Sequence, residues 1–245
     1  MRKDYEAKHH TAEENHCWYR ARRDILLKLL QKYPKNSKIL DVGCSGGPLI
    51  VDLNQIGFND IYGIDISEEA VRLCRDRGLQ NISLSRAEKI DQRDGEFDIV
   101  IASDILEHIK DEGVALTEWR RLLKNGGTLI VFVPAFNFLW SSHDEINNHF
   151  RRYTSHMLTT ALRKAGFMIE RSSYWNFFLF FPTFVIRMLK KMTDRLTHKK
   201  EKDDQLRTLN PPLDSLVFKM LKLENAVIKN VNIPLGVSVF AVAKK

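Results

Sequence analysis

The sequence has little of what marks a secreted or membrane-spanning protein. Its three cysteines, Cys17, Cys44 and Cys74, form neither a CxxC pair nor a recognisable disulfide set, which is typical of a reducing compartment. No uncharged apolar run reaches the roughly 18 residues that a membrane-spanning helix needs. The opening segment MRKDYEAKHHTAEENH is polar and predicts no secretory signal. We therefore expect a cytoplasmic protein.

Internal repeats and low-complexity tracts are also missing, and the composition is that of a folded domain, with 44% hydrophobic and 28% charged residues. The formal net charge is +7. A basic cluster lies between Arg187 and Lys202, with Lys or Arg at positions 187, 190, 191, 195, 199, 200 and 202 against Asp194 and Glu201. This cluster predicts an anionic partner, either a membrane surface or nucleic acid, or else a solvated helix face.

Strand-like and helix-like segments alternate along the chain, which predicts a doubly wound, mostly parallel α/β sheet of seven strands. The strands are KILDVG, DIYGID, NISLS, FDIVIAS, TLIVFVP, FMIERSSYW and GVSVFAVAKK, and helices are expected at 13–32, 48–56, 67–78, 111–123 and 154–166, with a turn at Asn125-Gly126-Gly127. We divide the chain into an N-terminal helical cover (1–36), a core (37–175), a helical insertion (176–234) and a final core strand (235–245).

The segment DVGCSGG, residues 41–47, lies where the first strand gives way to a helix. Ligands of such sheets bind at the carboxyl ends of the strands, and glycine lets a ligand approach the backbone closely. Asp65 ends the second strand 22 residues after Gly43, and a carboxylate there can accept hydrogen bonds from ribose hydroxyls. A dinucleotide loop, GxGxxG, would need glycine at the positions of Ser45 and Pro48. The pattern therefore favours a nucleoside ligand that is not a dinucleotide.

Four segments over residues 37–135 resemble the motifs of class I S-adenosylmethionine-dependent methyltransferases, in order and at the family's spacing. They are DVGCSGG, YGIDIS, FDIVIASDILEHIKD and LLKNGGTLIVFVPA. The likeness is greatest to the type 11/12 small-molecule methyltransferases of the ubiquinone-biosynthesis kind. Two departures are visible: Ser45 replaces the middle glycine of the first motif, and Arg86-Ala87-Glu88 stands where the family often has Asp-Ala. We expect Ser45 to keep a hydroxyl donor beside the ligand while Gly46 supplies the lost flexibility.

The resemblance implies S-adenosyl-L-methionine as cofactor and S-adenosyl-L-homocysteine as product. The loop from Asp41 through Gly43 and Cys44 to Gly47 would hold the methionine part. Asp65 would bind the ribose, and Ile66 would pack on the adenine, which the Ala87 backbone or Glu88 would read. Ser103 and Asp104 would lie along the cofactor toward the methyl group. Trp18 and Arg22, four residues apart on the first helix, can stack, which we interpret as packing.

Histidines supply the candidates for a general base, since their ordinary pKa suits proton transfer near neutral pH. His108, in the sequence LEH after the fourth strand, is either that base or an anchor of its loop. His143 and His149 lie in WSSHDEINNHFRRYT, residues 140–154, and are the other candidates. No recognised metal spacing occurs in this segment, and we expect no metal site.

Arg151, Arg152 and Tyr153 follow the two histidines and are candidates for binding the acceptor. An arginine pair can hold an acidic or phosphorylated acceptor through forked hydrogen bonds. The alternative is that the arginines pair with surface acids and that Tyr153 packs before a helix capped by Thr154. Both interpretations remain open from the sequence.

In the resembling fold a short hairpin link joins strands six and seven, whereas here residues 176–234 intervene. This insertion begins with NFFLFFPTFVIRMLKKMTDRL, an aromatic run followed by basic residues. Such an order is typical of an interfacial helix on an anionic membrane, here the inner face of the cell membrane. The alternative is a cap whose aromatic residues cover the active site.

We interpret the protein as a methyltransferase that acts on a small-molecule or lipid-linked acceptor, at oxygen. An RNA methyltransferase is the alternative that the basic charge prompts. Enzymes that methylate base amino groups usually carry (N/D)PP(Y/F) after the fourth strand, where this chain has ASDILEH, so we do not expect a nucleic-acid partner. A cofactor-binding protein without catalysis is a third interpretation, prompted by Ser45 and Arg86.

Overall fold

A computed structural model describes residues 12–197 and 210–245. The strands are β1 (Ile39–Val42), β2 (Ile61–Asp65), β3 (Ile82–Leu84), β4 (Phe97–Ser103), β5 (Leu123–Pro134), β6 (Met168–Trp175) and β7 (Ser238–Lys244). The helices are α1 (Cys17–Leu30), α2 (Pro48–Gln55), α3 (Glu68–Asp76), α4 (Glu112–Leu122), α5 (Ser142–Ile146), α6 (Ser155–Lys164), α7 (Phe177–Thr197) and α8 (Pro211–Ile228). Of the basic cluster, Lys199, Lys200, Lys202 and the side chain of Arg195 lie outside the described residues.

The seven strands form one sheet in the order β3-β2-β1-β4-β5-β7-β6. The pairs from β3 to β5 are parallel, and β7 runs antiparallel to both β5 and β6. This confirms the prediction of a doubly wound, mostly parallel sheet. The order reverses at β1, between β2 and β4, so the carboxyl ends of these central strands form the crevice in which such folds bind ligands.

Side-chain caps begin the helices where the sequence predicts them. Ser67 accepts a hydrogen bond from the Ala70 amide (3.1 Å) before α3, and Thr154 accepts one from the Met157 amide (3.2 Å) before α6. These bonds satisfy amides that have no partner within the helix.

The predicted boundary between α4 and β5 was wrong. β5 begins at Leu123 and includes Asn125, Gly126 and Gly127. Its register against β4 shifts, so that Phe97 pairs with Leu123 and Ile99 with Thr128. The extra residues are absorbed as an irregularity within the strand, which turn-type residues tolerate.

The core has two layers, one on each face of the sheet. One layer gathers residues of α4 and α6, including Trp119 and Leu158; the other gathers residues of α1, α2, α3 and α8, including Ile25, Leu53 and Leu221. The second helix of the insertion thus packs with the N-terminal helix on one face of the sheet. None of the helices in the described ranges is long and apolar enough to cross a membrane.

Candidate active site

The loop of residues 43–47 lies over the carboxyl end of β2. The amides of Gly43 and Cys44 both donate to the Ile64 carbonyl, at 2.8 and 2.9 Å. Gly43 and Gly47 have φ of +74° and +80°, and Ser45 itself has φ of +50°. The expectation that Gly46 supplies the flexibility was wrong, because Gly46 is not among the described residues with positive φ. A serine tolerates the left-handed conformation here at a modest cost in strain.

Asp65 ties this loop to the end of β2. Its Oδ2 accepts a hydrogen bond from the Ser45 amide and its Oδ1 accepts one from the Ser67 amide, both at 2.9 Å. Each carboxylate oxygen can accept more than one hydrogen bond, so these contacts are compatible with ribose binding. Ile66 follows directly and is 70% exposed, which leaves its side chain accessible to a flat ligand.

Asp41 and Cys44 line the buried side of the loop. Burial, together with repulsion from Asp65 and Glu13, raises the pKa of Asp41 to about 7. A hydrogen bond with Cys74, with burial, raises the pKa of the Cys44 thiol well above its usual value. Cys44 therefore stays protonated at neutral pH, and it contributes its backbone to the loop while its sulfur packs in the core.

Ala87 and Glu88 lie after β3, on the side expected for adenine. The Ala87 carbonyl accepts a hydrogen bond from the indole of Trp119 (2.9 Å), and Glu88 pairs with Arg86 (3.0 Å). The indole bond fixes the Ala87 backbone against α4, whereas the Glu88 contact lies at the surface.

Ser103 and Asp104, at the end of β4, are held by Arg22 of α1. One guanidinium nitrogen of Arg22 lies 2.8 Å from Asp104 Oδ2 and donates to Ser103 Oγ at 3.0 Å. The other terminal nitrogen donates to Ser238 Oγ at 3.2 Å. Asp104 has φ of +58°, so its carboxylate is presented from a strained turn, a feature common at functional sites.

Aromatic rings surround the Arg22 guanidinium, which is buried. Its central carbon lies 4.7, 4.3 and 4.4 Å from the ring centroids of Trp18, Phe132 and Trp175. Burial lowers the pKa of Arg22, although the charges of Asp104 and Glu107 act in the opposite direction. A cation in such a cage is stabilised by the rings as well as by its ion pair.

Glu107 and His108 lie on the 3₁₀ turn Leu106–His108 that follows β4. Glu107 is 1% exposed, and among the described residues neither of its carboxylate oxygens has a hydrogen-bond partner. Burial and repulsion from Asp104 raise its pKa well above the usual value. His108 is exposed. The turn is joined to the segment after α5, because the Phe150 amide donates to the Glu107 carbonyl at 2.8 Å.

The three candidate histidines meet at this turn. The His149 ring lies edge to face against both His108 and His143, with centroids 4.6 and 6.1 Å apart. A carboxylate oxygen of Glu107 and ring nitrogens of His108 and His149 all lie within 4.8 Å of one another. Burial lowers the pKa of His143 to about 4, only partly offset by Asp144, so His143 is neutral at pH 7. Residues far apart in the sequence thus form one polar cluster.

Arg151, Arg152 and Tyr153 are each bonded within the protein. Arg151 pairs with Glu112 (3.0 Å), and the buried Tyr153 donates its hydroxyl to the same residue (2.6 Å). Arg152 is buried and its Nε donates to Asp144 Oδ1 at 2.7 Å. Burial and the Glu112 hydrogen bond raise the pKa of Tyr153 far above its usual value. Of the three, Arg151 is the most exposed.

Comparison with known proteins identifies the domain that carries the glycine loop, Asp65 and the turn after β4. A profile described as a methyltransferase domain matches residues 40–131. The ubiquinone biosynthesis O-methyltransferase of Methylococcus capsulatus is 39% identical over 106 residues, which cover 41% of this chain and 44% of that protein. Residues 40–131 of this chain are thus those of a methyltransferase domain. The chain spans less than half the length of the curated relatives that it matches.

Solved methyltransferases share the fold of this chain. A putative methyltransferase from Haloferax volcanii, solved with the Trm112 activator, has a TM-score of 0.65 at 16% identity over 98% of this chain and 94% of that one. Phosphoethanolamine N-methyltransferase 2 of Haemonchus contortus has a TM-score of 0.60 at 18% identity over 91% of this chain and 52% of that one. The Haemonchus enzyme is bound to S-adenosyl-L-methionine, the cofactor of the domain family.

Sequence reasoning missed three polar residues of the methyltransferase site: Arg22, Glu107 and Asp144. Arg22 was interpreted as a packing residue. It lies on the buried face of α1, three residues before Ile25. A cation on the apolar face of an amphipathic helix was the available signal, since burial of a charge requires a partner. Glu107 and Asp144 stand next to His108 and His143 in the sequence, but no local pattern indicates that both carboxyl groups are buried.

Proposed function

We propose that this protein transfers a methyl group from S-adenosylmethionine to a hydroxyl group of a small-molecule or lipid-linked acceptor. The observation that carries the proposal is the position of the histidine cluster. His108 follows β4 a few residues after Ser103 and Asp104, and the segment after β5 brings His143 and His149 to the same turn, at the edge of the sheet where the glycine loop and Asp65 also lie. Relatives from Methylococcus capsulatus and Thiobacillus denitrificans are named ubiquinone biosynthesis O-methyltransferases, which supports oxygen as the nucleophile.

On this proposal the cofactor lies across the carboxyl ends of β1, β2 and β4. Asp41, Gly43, Cys44 and Gly47 hold its methionine part, mainly through their backbone. Asp65 accepts from the ribose hydroxyls, Ile66 packs on the adenine, and Ala87 and Glu88 lie at its edge. Ser103 and Asp104 extend toward the methyl group. The set of donors and acceptors supports this assignment, because the Asp65 carboxylate at the end of β2 suits a hydroxylated ligand.

The acceptor lies beside His108, His143 and His149, with Arg151 at its rim. Arg152 and Tyr153, which are buried, support this side of the site from behind. The bound cofactor supplies an electrophilic methyl group, so the protein has to hold a nucleophile in line and take up one proton. Alignment alone can supply roughly 7–11 kcal/mol of such a barrier. A histidine that removes the proton contributes about 10²–10⁴-fold in rate.

An apolar face of the insertion supports a lipid-linked acceptor and a peripheral position on an anionic membrane. On α7 the exposed apolar residues recur at helical spacing: Phe178, Phe181, Val185, Ile186, Leu189 and Met192 are each between 49% and 61% exposed. On α8 Leu216, Leu223 and Val227 are exposed by 54% to 71%. Isolated exposed apolar residues are common, but a continuous stripe beside Lys190 is typical of an interfacial helix.

The opposite face of α7 packs against the protein near the histidine cluster. Phe180 is buried against Phe136 and Phe138, and Lys191 donates to the Phe138 carbonyl at 2.7 Å. Arg187 is buried and bonds the Leu139 carbonyl, and burial lowers its pKa to about 10. A single helix thus has one face toward the acceptor side of the domain and one toward solvent, which suits an acceptor with an apolar tail.

Binding of S-adenosylhomocysteine tests the cofactor half of the proposal. It should raise the melting temperature of the protein, because a ligand of the folded state stabilises by mass action. Asp65→Asn should remove most of that ligand-induced shift, since a hydrogen bond to a charged acceptor is worth about 1.5–3 kcal/mol. The exposed Asp76→Asn serves as matched control and should keep the full shift. The quantity compared is the shift on adding ligand, so any intrinsic effect of the substitution cancels.

Transfer of labelled methyl from S-adenosylmethionine tests the catalytic half. Long-chain alkylphenols and alkylcatechols in mixed micelles are the probes, because they combine a hydroxyl with an apolar tail. Turnover is expected with at least one probe. A protein that binds S-adenosylhomocysteine but methylates none of these hydroxyls would contradict O-methylation while leaving cofactor binding intact; stronger stabilisation by NAD would contradict both.

A further inference from the structure

His149 is joined directly to a buried carboxylate. Its Nδ1 lies 2.9 Å from Asp144 Oδ1, and the side chains are 7% and 0% exposed. We propose that His149 is the general base of the methyl transfer and that Asp144, held by Arg152, is the positioning residue that orients it. The inference rests on the proposed O-methylation and narrows it to one proton acceptor.

Asp144 is fully bonded by the surrounding protein. Its Oδ2 accepts from the Ser141 amide (2.8 Å) and hydroxyl (3.2 Å), and its Oδ1 accepts from Arg152 Nε (2.7 Å) as well as from His149. Burial alone raises the pKa of Asp144, but the His149 hydrogen bond and the Arg152 charge outweigh it and hold that pKa well below its usual range. Asp144 is therefore an anion at neutral pH.

An ionised carboxylate can only accept, so the proton of a neutral His149 must lie on Nδ1. The lone pair is then on Nε2, on the far side of the ring from Asp144. This is the way in which a buried aspartate fixes the tautomer of a catalytic histidine and stabilises the imidazolium that forms when the ring takes up a proton.

Two connections fix where this pair lies relative to the ends of the strands. Arg152 donates from Nη1 to the Ala135 carbonyl (3.0 Å), one residue beyond β5. The Phe150 amide donates to the Glu107 carbonyl (2.8 Å), on the turn after β4. Because β4 and β5 are adjacent in the sheet, both connections hold His149 against the carboxyl ends of the two strands next to the cofactor site.

The other charged groups around His149 are consistent with a base at this position. Glu107 and His108 face it from the turn after β4, and His143 on α5 lies against its ring. Arg187 of α7 and Arg152 bring positive charge to the same region. Asp144 accepts a hydrogen bond from the His149 ring and therefore sets its tautomer. The remaining groups change the electrostatic potential at the ring.

His143 and His108 suit proton acceptance less well. The pKa of His143 is lowered to about 4 by burial, so its ring is a weak base at neutral pH, and Asn147 Nδ2 lies 3.1 Å from its Nε2. His108 is exposed on its turn, where solvent competes for its nitrogens. His149 combines a nearly buried ring with a permanent anionic partner.

The step itself balances with one acceptor molecule and no further reagent. The acceptor oxygen forms a bond to the methyl carbon while the bond from that carbon to the sulfonium sulfur breaks. The electron pair of the broken bond stays on sulfur. The hydroxyl proton passes to Nε2 of His149, and the resulting imidazolium is stabilised by Asp144 until the proton leaves to solvent.

Histidine-selective ¹⁵N NMR of the S-adenosylhomocysteine complex tests the positioning without any acceptor. The His149 ring should show the Nδ1–H tautomer in the wild-type protein and lose it in Asp144→Asn, in which the side chain can also donate. The exposed His156 on α6 is the control. Its resonance is identified as the one that is missing in His156→Gln. An Nε2–H tautomer in the wild type, or no change in Asp144→Asn, would overturn the proposal.

Methyl transfer to the alkylcatechol probes tests the base. His149→Gln should lower kcat at least about 10²-fold while keeping the S-adenosylhomocysteine shift, and added imidazole should restore part of the rate to His149→Ala. Asp144→Asn should shift the pH dependence of kcat/KM as well as lower the rate, which a purely structural loss would not do. His156→Gln should retain wild-type turnover.

Each failure points to a different error. If His149→Gln has the turnover of the wild-type protein, His149 is not the general base, and the proposed methyltransferase function is unaffected. If EDTA abolishes turnover and Mg²⁺ restores it, His149 Nε2 is a metal ligand, which contradicts its assignment as general base. No turnover with any hydroxylated probe would remove O-methylation itself, and the inference with it, while cofactor binding would be judged separately.

Discussion

Gly43 and Gly46 stand three positions apart in the glycine loop but have different surroundings. Gly43 has φ of +74°, and a Cβ there would overlap the Ile105 side chain. A Cβ on Gly46 would meet Leu73 at 3.6 Å, an ordinary contact, and its φ is not in the left-handed region. Gly43 is therefore required by both conformation and space, whereas Gly46 is not.

Gly43→Ala should reduce the free energy of unfolding by about 2–4 kcal/mol, because overpacking and a left-handed alanine each cost about 1–3 kcal/mol. Gly46→Ala is the matched control and should change that free energy by less than about 1 kcal/mol. Urea denaturation of the two variants and the wild type measures both quantities. Equal losses would mean that the loop relaxes around Gly43, and that its glycine is not needed for the fold.

Helix α7 shows why an aromatic run is ambiguous when only its composition is known. Trp175 and Phe180 are buried, whereas Phe178 and Phe181 are 49% and 55% exposed. The sequence offers an interfacial helix or a cap, and the helix has one face suited to each. Which residues fall on which face depends on how α7 is rotated against the loop after β5, and that rotation is set by Phe180 and Arg187.

The exposed face predicts binding to anionic vesicles. The full chain should co-sediment with phosphatidylglycerol-containing liposomes at low salt and be released as salt screens the headgroups. Ile186→Ser with Leu189→Ser should weaken partitioning at least about tenfold, since burying such side chains stabilises by about 1.5–3 kcal/mol each. Lys190→Glu should weaken it further, by about 1–2 kcal/mol.

Met168→Ser, an equally exposed apolar position on β6, is the control and should leave partitioning unchanged. Sedimentation that depends neither on lipid charge nor on the two α7 substitutions would contradict binding to an anionic membrane surface through α7. If the protein instead forms a dimer that the Ile186 and Leu189 substitutions dissociate, the apolar face is an interface between two copies of the chain.

Distant parts of the chain converge on Asn225 of α8. Its Nδ2 donates to the Ala21 carbonyl and to Asp24 Oδ2, both at 2.8 Å, and its Oδ1 accepts from the Trp175 indole at 2.7 Å. The side chain is buried. Next to it, Glu224 accepts from the Phe177 and Phe178 amides at 2.9 and 3.3 Å, at the start of α7. These bonds join the insertion, the N-terminal helix and the sheet.

We expect the described molecule to unfold as one cooperative unit. Asn225→Ala should lower the free energy of unfolding by about 2–4 kcal/mol, because it leaves buried partners without hydrogen bonds. The exposed Asn230→Ala should change it by less than about 0.5 kcal/mol. Chemical denaturation followed by tryptophan fluorescence and by circular dichroism measures both. Two separate transitions, or equal effects of the two variants, would mean that the insertion is stabilised independently of the core.

The positions of the strands, most helix positions and the class of cofactor followed from local signals. Period-two and period-3.6 patterns, caps such as Ser67 and Thr154, and the pairing of the glycine loop with Asp65 each lie within a short stretch of chain. Local patterns determine which element forms, and the alternation of strand and helix restricts the sheet to few topologies. The boundary at Leu123 escaped this reasoning because pairing with β4 extends the strand through residues that favour a turn.

The arrangement of the acceptor side was decided by the tertiary structure. Arg22 reaches Asp104 across 82 positions of the sequence, and the Asp144–His149 pair meets Glu107 and His108 only because Phe150 and Arg152 are bonded to the ends of β4 and β5. No periodicity marks such contacts. Burial decides which groups pair, because a charged group removed from water is stable only beside an opposite charge or hydrogen-bond partner. The fold determines which such group lies close enough.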